Sequence, residues 1–184
     1  MNTNPTAQQR QFTASMRFLH WLTAALVLTM LGIGVAMVAS LASYHTLVSI
    51  HRPLGILILL VVVIRYVNRR FSALPPFPAS MSSQERFVAS ASERLFYALL
   101  FALPLVGWAM LSAARYPIVL FGSVHLFPIL PRSLPLYAVL RAIHTLLAYL
   151  LFLMFIAHFG AILFHTFVVR DRLFTRMAPW RARA

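Results

Sequence analysis

The stretch RAIHTLLAYLLFLMFIAHFGAILFHTFVVR, Arg141–Arg170, carries no charge between the two arginines at its ends. An uncharged segment of this length can cross a bilayer as an α-helix, with residues to spare for tilt. It nevertheless contains three histidines, His144, His158 and His165. Ionisable residues inside a membrane span are energetically costly, so they indicate function. The sequence therefore predicts a transmembrane helix that carries a functional site.

His144 and His158 lie 14 residues apart. This separation is about 3.9 helical turns, so both imidazoles project from nearly the same face of the helix, roughly 21 Å apart along its axis. The spacing places one histidine near each edge of the hydrocarbon layer. His165 lies seven residues beyond His158 on that face, near the predicted cytoplasmic headgroups.

The whole chain has the composition of an integral membrane protein. It has 184 residues, of which 61% are hydrophobic and 10% charged, and a soluble domain of this size has too little interior to bury so much apolar surface. The net charge of +13 comes from 16 arginines and only three acids. The arginines flank apolar runs, which indicates membrane topology and lipid contact rather than nucleic-acid binding. The absence of cysteine excludes disulfides, iron–sulfur clusters, thiolate-ligated haem and covalent c-type haem.

The predicted fold is all-α, a bundle of four transmembrane helices that forms one domain over residues 16–170. The predicted spans are about 16–41, 47–68, 93–114 and 141–170. A polar N-terminal tail, residues 1–15, is predicted to be disordered, and residues 171–184 form a basic tail. The proline-rich loop 115–138 has a hydrophobic middle, and its sequence leaves open whether it lies at the membrane interface or forms a short helix.

The arginines orient the bundle. Four spans put both termini and the linker between the second and third spans on one side, and that side holds twelve arginines against four on the other. Positive residues concentrate on the cytoplasmic side of membrane proteins. We therefore expect both termini in the cytoplasm of a bacterium and the protein in its inner membrane.

With this topology four histidines pair by depth. His51 and His144 begin their spans at the outer edge, whereas His20 and His158 lie near the inner edge. Two levels, each with one imidazole from either of two helices, are typical of two six-coordinate b-type haems in a four-helix bundle. For one histidine alone, an interfacial hydrogen bond would be the better interpretation, but the two matched pairs favour haem-iron ligation.

Arginines and glycines near these histidines fit the same prediction. Arg52 follows His51 and Arg17 precedes His20, and arginine binds carboxylates such as haem propionates in bidentate fashion. Glycines near the ligands make room for a bulky porphyrin, although each one alone is better explained by close helix packing. The remaining histidines, His45, His125 and His165, have no partner at matching depth.

Four pieces of the chain resemble the bacterial cytochrome b-561 family of small di-haem membrane proteins. The resemblance covers all four spans and implies axial ligation by the same four histidines. It also implies electron transfer between the periplasmic side and the membrane quinone pool, with superoxide as a proposed donor and ubiquinone as the acceptor. Loop 115–138 matches the family poorly, and Arg115 corresponds only loosely to its basic residue after the third span. The pieces are RFLHWLTAALV, SIHRPLGILILLVVVIRYVNRR with the PPFP linker, ERLFYALLFALPLVGWAM, and RAIHTLLAYLLFLMFIAHFGAILFHTFVVRDRLFTRMAP.

The leading functional hypothesis is a di-haem oxidoreductase that passes single electrons between an outer and an inner haem. One alternative is a haem b membrane anchor that relays electrons for a separate dehydrogenase or hydrogenase. A second is a haem-free transporter that uses its histidines as a proton relay. Cationic side chains predicted on the outer surface would steer an anion such as superoxide, or else bind lipid headgroups: Arg52, Arg115, Arg132 and Arg141. The residues predicted for an inner quinone site are Arg17, Trp21, His165 and Arg170.

Overall fold

The computed structural model describes residues 11–78, 81–120, 122–171 and 173–180. Residues 1–10 of the predicted disordered tail lie outside this part, as do Arg172, Arg181 and Arg183 of the predicted basic tail. Of the twelve arginines assigned to the cytoplasmic side, Arg10 and these three are therefore not placed.

Four long helices dominate the described residues, and each is long and apolar enough to cross a membrane. This confirms the predicted all-α architecture with four spans. Helix α1 packs beside α2 and helix α3 beside α4, with α2 and α3 joining the two pairs. The helices are α1 (Ala14–Ala39), α2 (Tyr44–Phe71), α3 (Ser83–Ala114), α4 (Leu134–Phe164) and the short α5 (Leu173–Met177).

Two helices begin well before the membrane spans predicted within them. Helix α3 starts at Ser83 rather than near residue 93, because Ser82 and Glu85 form a reciprocal capping box in which each side chain binds the other's backbone N–H. Helix α4 starts at Leu134 rather than at Arg141, because the Ser133 side chain accepts a hydrogen bond from Leu136 N. Arg141 therefore lies about two turns inside α4.

The loop that the sequence left open contains a β-hairpin. Strands β1 (Ile118–Leu120) and β2 (Val124–Leu126) pair in antiparallel fashion, with Val119 opposite His125. Gly122 supplies the turn with a φ of +81°, in the region that favours glycine. Strand β1 packs on α2 with Ile118 and Leu120 buried. We call this side of the bundle, with the hairpin and the α1–α2 connection, the hairpin end.

The opposite side of the bundle, which we call the terminal end, gathers the described parts of both tails. Helix α4 continues through a π-helical turn, His165–Val169, and ends at Arg170 with a φ of +57°. The chain then returns through α5, and Phe12 N donates to Arg176 O over 3.1 Å. Arg176 Nη2 donates to Pro76 O of the α2–α3 linker over 2.6 Å. Both tails and this linker thus share one end, as an even number of spans requires.

An apolar layer fills the middle of the bundle. Its buried members are Val27, Ile58, Val62, Leu99, Leu100 and Leu151. Leu151 lies seven residues after His144 and seven before His158, and Ile58 lies seven after His51. Two turns are about 10 Å, so this layer separates two levels of polar side chains.

Candidate functional site

The histidine pair at the hairpin end comes from two helices that make few close backbone approaches to each other, α2 and α4. Their rings, His51 and His144, nevertheless face each other with centroids 6.2 Å apart and planes inclined by 67°. The Nδ1 atoms of both rings are buried and have no hydrogen-bond partner within the described part of the chain. The two helices therefore bring together a pair of imidazoles whose buried Nδ1 atoms find no partner among the described residues.

This separation fits one metal ion between the rings. An imidazole nitrogen lies about 2 Å from a bound metal and about 1 Å from its own ring centre, which gives roughly 6 Å between the centroids of two opposed ligands. No group of three or more histidine or acidic side chains able to hold a metal ion occurs among the described residues. A metal held by this pair would need further ligands from elsewhere, and a porphyrin supplies four.

Helix α3 supports the same ring from the side. A Cβ atom built on Gly107 would lie 3.3 Å from His144 Cε1 and 3.5 Å from Nδ1. Glycine at this position therefore lets the imidazole lie close to α3. For Gly32, Gly34 and Gly160, a built Cβ meets nothing within 4 Å.

Arg52 lies beside this pair and is only partly satisfied. Its Nη1 donates to Pro117 O over 3.2 Å, and its Cζ lies 5.9 Å from the centre of the Tyr116 ring. Its buried Nε has no partner in the described part of the chain. The other cations predicted for anion steering lie at the same end and are exposed: Arg115, Arg132 and Arg141. Arg115 caps α3 with a φ of +58°.

The second pair lies at the terminal end, again on helices with few close backbone approaches, α1 and α4. His20 lies on α1 and His158 on α4, both towards this end of the bundle. Trp21 packs edge-on to His20 with ring centroids 5.7 Å apart, and Phe96 packs edge-on to His158 at 5.4 Å. The structure thus brings the His51 and His144 rings together and places His20 and His158 at the opposite end of the bundle.

Arg65 is a further residue of this end that is absent from the set of site residues predicted from the sequence. Its Nη2 lies 3.1 Å from His20 Nδ1, and its Cζ lies 5.6 Å from the centre of the Tyr97 ring. A signal was present, because Arg65 follows His51 by 14 residues. That is the spacing of His144 and His158 on α4, and it puts Arg65 on the histidine-bearing face of α2.

Arg17, the predicted cationic partner at this end, instead binds the N-terminal segment. Its Nη1 donates to Gln11 Oε1 over 2.8 Å and to Phe12 O over 3.2 Å, while its buried Nε has no partner among the residues that the structure describes. Arg65 and not Arg17 contacts His20 in the structure.

The four residues predicted for a quinone site all lie at the terminal end but bind different neighbours. His165 Nδ1 pairs with Asp171 Oδ2 at 2.6 Å, and Trp21 Nε1 donates to Met177 O over 2.8 Å. Arg170 Nε donates to Phe167 O over 3.2 Å. No hydrogen bond or ring contact joins Arg17, Trp21, His165 and Arg170 to one another in the ranges that the structure describes.

Four apolar spans that carry histidines near both ends of the bundle are typical of membrane proteins that bind b-type haem and transfer electrons. The family model of the prokaryotic cytochrome b561 matches residues 11–180. The chain belongs to this family. The family prediction made from the sequence pieces is thereby confirmed.

Two curated relatives come from Escherichia coli (strain K12). The chain is 32% identical to cytochrome b561 homolog 2 over 162 residues, which cover 86% of each chain. It is 25% identical to cytochrome b561 homolog 1 over 178 residues, covering 93% of this chain and 98% of the relative. As a member of the family, the chain is a multi-pass bacterial membrane protein in contact with the lipid bilayer.

Proposed function

We propose that the chain holds two b-type haems, one between His51 and His144 and one between His20 and His158. The observation that carries this proposal is the 6.2 Å separation of the His51 and His144 ring centroids across two helices that barely approach each other. Haem b, when bound, supplies a one-electron couple between Fe(III) and Fe(II). The protein contributes the axial imidazoles, the dry surroundings and the cations that receive the propionates.

The proposed orientation puts the terminal end in the cytoplasm of the bacterium and the hairpin end in the periplasm, with the protein in the inner membrane. The support is the arginine distribution of twelve against four. In this orientation the apolar layer of Ile58, Val62 and Leu151 lies between the two haem levels. It excludes water from the path that an electron takes between them.

Superoxide is the proposed electron donor at the hairpin end. All three acids of the chain, Glu85, Glu93 and Asp171, lie on elements of the terminal end, so the hairpin end is purely cationic. A cationic surface raises the encounter rate of an anion, and salt weakens this effect. One electron leaves each superoxide, which becomes oxygen. The arginines that would steer superoxide are Arg52, Arg115, Arg132 and Arg141.

Ubiquinone is the proposed acceptor at the terminal end. Two electrons from two superoxide ions and two protons from the cytoplasm convert one ubiquinone to ubiquinol. The His165–Asp171 pair supports this assignment, because a histidine bound to a carboxylate beside the apolar spans can pass protons to a lipid-soluble acceptor. Arg17, Trp21 and Arg170 complete the proposed quinone site.

A stopped-flow experiment tests this function. Purified protein in lipid nanodiscs is mixed with superoxide in the presence of a short-chain ubiquinone, and haem reduction and quinol formation are followed. We expect superoxide-dependent haem reduction that slows as salt is raised and slows further in Arg115→Gln. The matched control Arg70→Gln removes an exposed arginine at the other end of the bundle and should react as the wild type does.

Haem-loaded protein that superoxide fails to reduce would overturn the donor assignment. If a dehydrogenase or hydrogenase co-purified and reduced the haems instead, the protein would be a membrane anchor for that enzyme.

A further inference from the structure

Arg65 is a half-buried cation for which the chain offers no free carboxylate. The sequence contains only three acids, and each has a partner. Glu93 pairs with Arg69 at 2.5 Å, and Asp171 pairs with His165. Glu85 accepts from Ser82 N over 2.7 Å in the capping box of α3. A guanidinium within a membrane span without a counter-charge is energetically costly, so its position indicates an anionic ligand.

The position of Arg65 indicates where that anion binds. Its guanidinium reaches from α2 to the histidine of α1 at the terminal end, with Nη2 3.1 Å from His20 Nδ1. The Tyr97 ring, 5.6 Å from Cζ, supports the guanidinium from α3. Arg65 follows His51 by 14 residues on α2. Helix α2 therefore carries His51 at the level of the hairpin-end pair and Arg65 at the level of the terminal-end pair.

The hydrogen bond between Arg65 and His20 is incompatible with haem ligation by that histidine. A guanidinium only donates, so His20 Nδ1 accepts here and the ring proton lies on Nε2. When Nε2 gives its lone pair to iron, Nδ1 carries the proton, and two N–H donors then face each other. The guanidinium must turn to another acceptor.

We propose that Arg65 is a positioning residue of the terminal-end haem, whose guanidinium binds a propionate carboxylate and raises the reduction potential of that haem. This inference rests on the proposed di-haem function. Bidentate geometry suits an arginine bound to a carboxylate. A positive charge beside the iron stabilises the Fe(II) form, which holds one more electron than Fe(III).

Redox titration of the haem-loaded protein in nanodiscs, followed by visible spectroscopy, tests the proposal. Arg65→Gln should lower the midpoint potential of one component by at least a tenfold change in its reduction equilibrium, about 59 mV for one electron. The affected component is the one that His20→Ala removes. Arg65→Lys, which keeps the charge, should shift it less. Arg70→Gln, an exposed arginine at the same end of α2, should leave both components unchanged.

Reconstitution with haem dimethyl ester, in which both propionates are blocked, provides a second measurement. If Arg65 binds a propionate, the ester should weaken terminal-end haem binding in the wild type but have little further effect in Arg65→Gln. Equal weakening by the ester in both proteins would overturn the inference, as would an unchanged potential in Arg65→Gln. A wild-type protein without b-type haem bands would instead overturn the proposed function itself.

Discussion

Replacing Gly107 by valine should remove the hairpin-end haem while keeping the other one. A Cβ at position 107 would lie 3.3 Å from His144 Cε1, whereas unstrained carbon atoms stay about 3.5–4.0 Å apart. Even alanine would therefore push the imidazole back by a few tenths of an ångström, which already exceeds the ~0.2 Å tolerance of a metal–ligand bond. The two further methyl groups of valine must displace the ring by more.

The magnitude follows from the cost of overpacking. Inserting methyl groups into a packed site destabilises it by about 1–3 kcal/mol. If this penalty falls on the haem-bound state, haem affinity at the hairpin end drops roughly 5- to 150-fold, at about 1.4 kcal/mol per factor of ten. Haem content per protein and the reduced-minus-oxidised spectrum measure the loss. The missing spectral component should be the one that His144→Ala removes.

Gly160→Val is the matched control. A built Cβ on Gly160 meets nothing within 4 Å, and this residue lies two positions after His158, on the other side of α4. Both substitutions put valine inside a helix, so their effects on helix propensity are equal. A Gly107→Val protein with two haems of wild-type affinity would refute the argument that α3 positions His144.

Three further substitutions test the packing, capping and tail contacts that surround the site. Leu151 is 5% exposed in the middle layer, so Leu151→Ala should lower the free energy of unfolding by about 2–5 kcal/mol; unchanged denaturation in detergent would contradict its place in the core. Ser82→Ala should lower the free energy of unfolding by about 1 kcal/mol because it removes the N-cap of α3. Amide hydrogen exchange at residues 83–86 should then be faster, and unchanged exchange rates would contradict the capping box. Trp21→Phe removes the hydrogen bond to Met177 O and should speed proteolysis of 173–180. The control Trp108→Phe loses a hydrogen bond to Phe127 O at the other end and should not speed this proteolysis. Equal cleavage in both variants would argue that the Trp21 hydrogen bond does not hold residues 173–180 in place.

The four spans and their order were predictable because a membrane helix is a local property of sequence. An uncharged run that is long enough to span the bilayer as a helix leaves the chain few alternative structures. The family was predictable because four histidines recur at the right positions in those runs. Helices α3 and α4 begin before the spans predicted within them for a physical reason. A hydropathy argument marks where the chain becomes apolar, whereas a helix begins where its first N–H groups find a cap, at Ser82 and Ser133.

The hairpin at 118–126 and the partners of the arginines were not predictable in the same way. The hydrophobic stretch around Ile118 and Leu120 looks interfacial by composition, and only its packing on α2 shows that these side chains are buried. Proximity in sequence suggested Arg17 as the propionate partner of a haem held by His20. Arg65 lies on another helix, and its Nη2 is 3.1 Å from His20 Nδ1. The spacing of Arg65 from His51 predicts the face of α2 on which it lies but not this contact.

The central claim is that each haem is held by one histidine from α4 and one from another helix. Four purified variants, His20→Ala, His51→Ala, His144→Ala and His158→Ala, test it through their reduced-minus-oxidised spectra and haem content. We expect His51→Ala and His144→Ala to lose the same spectral component, and His20→Ala and His158→Ala to lose the other. If His51→Ala removed one component and His144→Ala the other, the pairing across helices would be wrong.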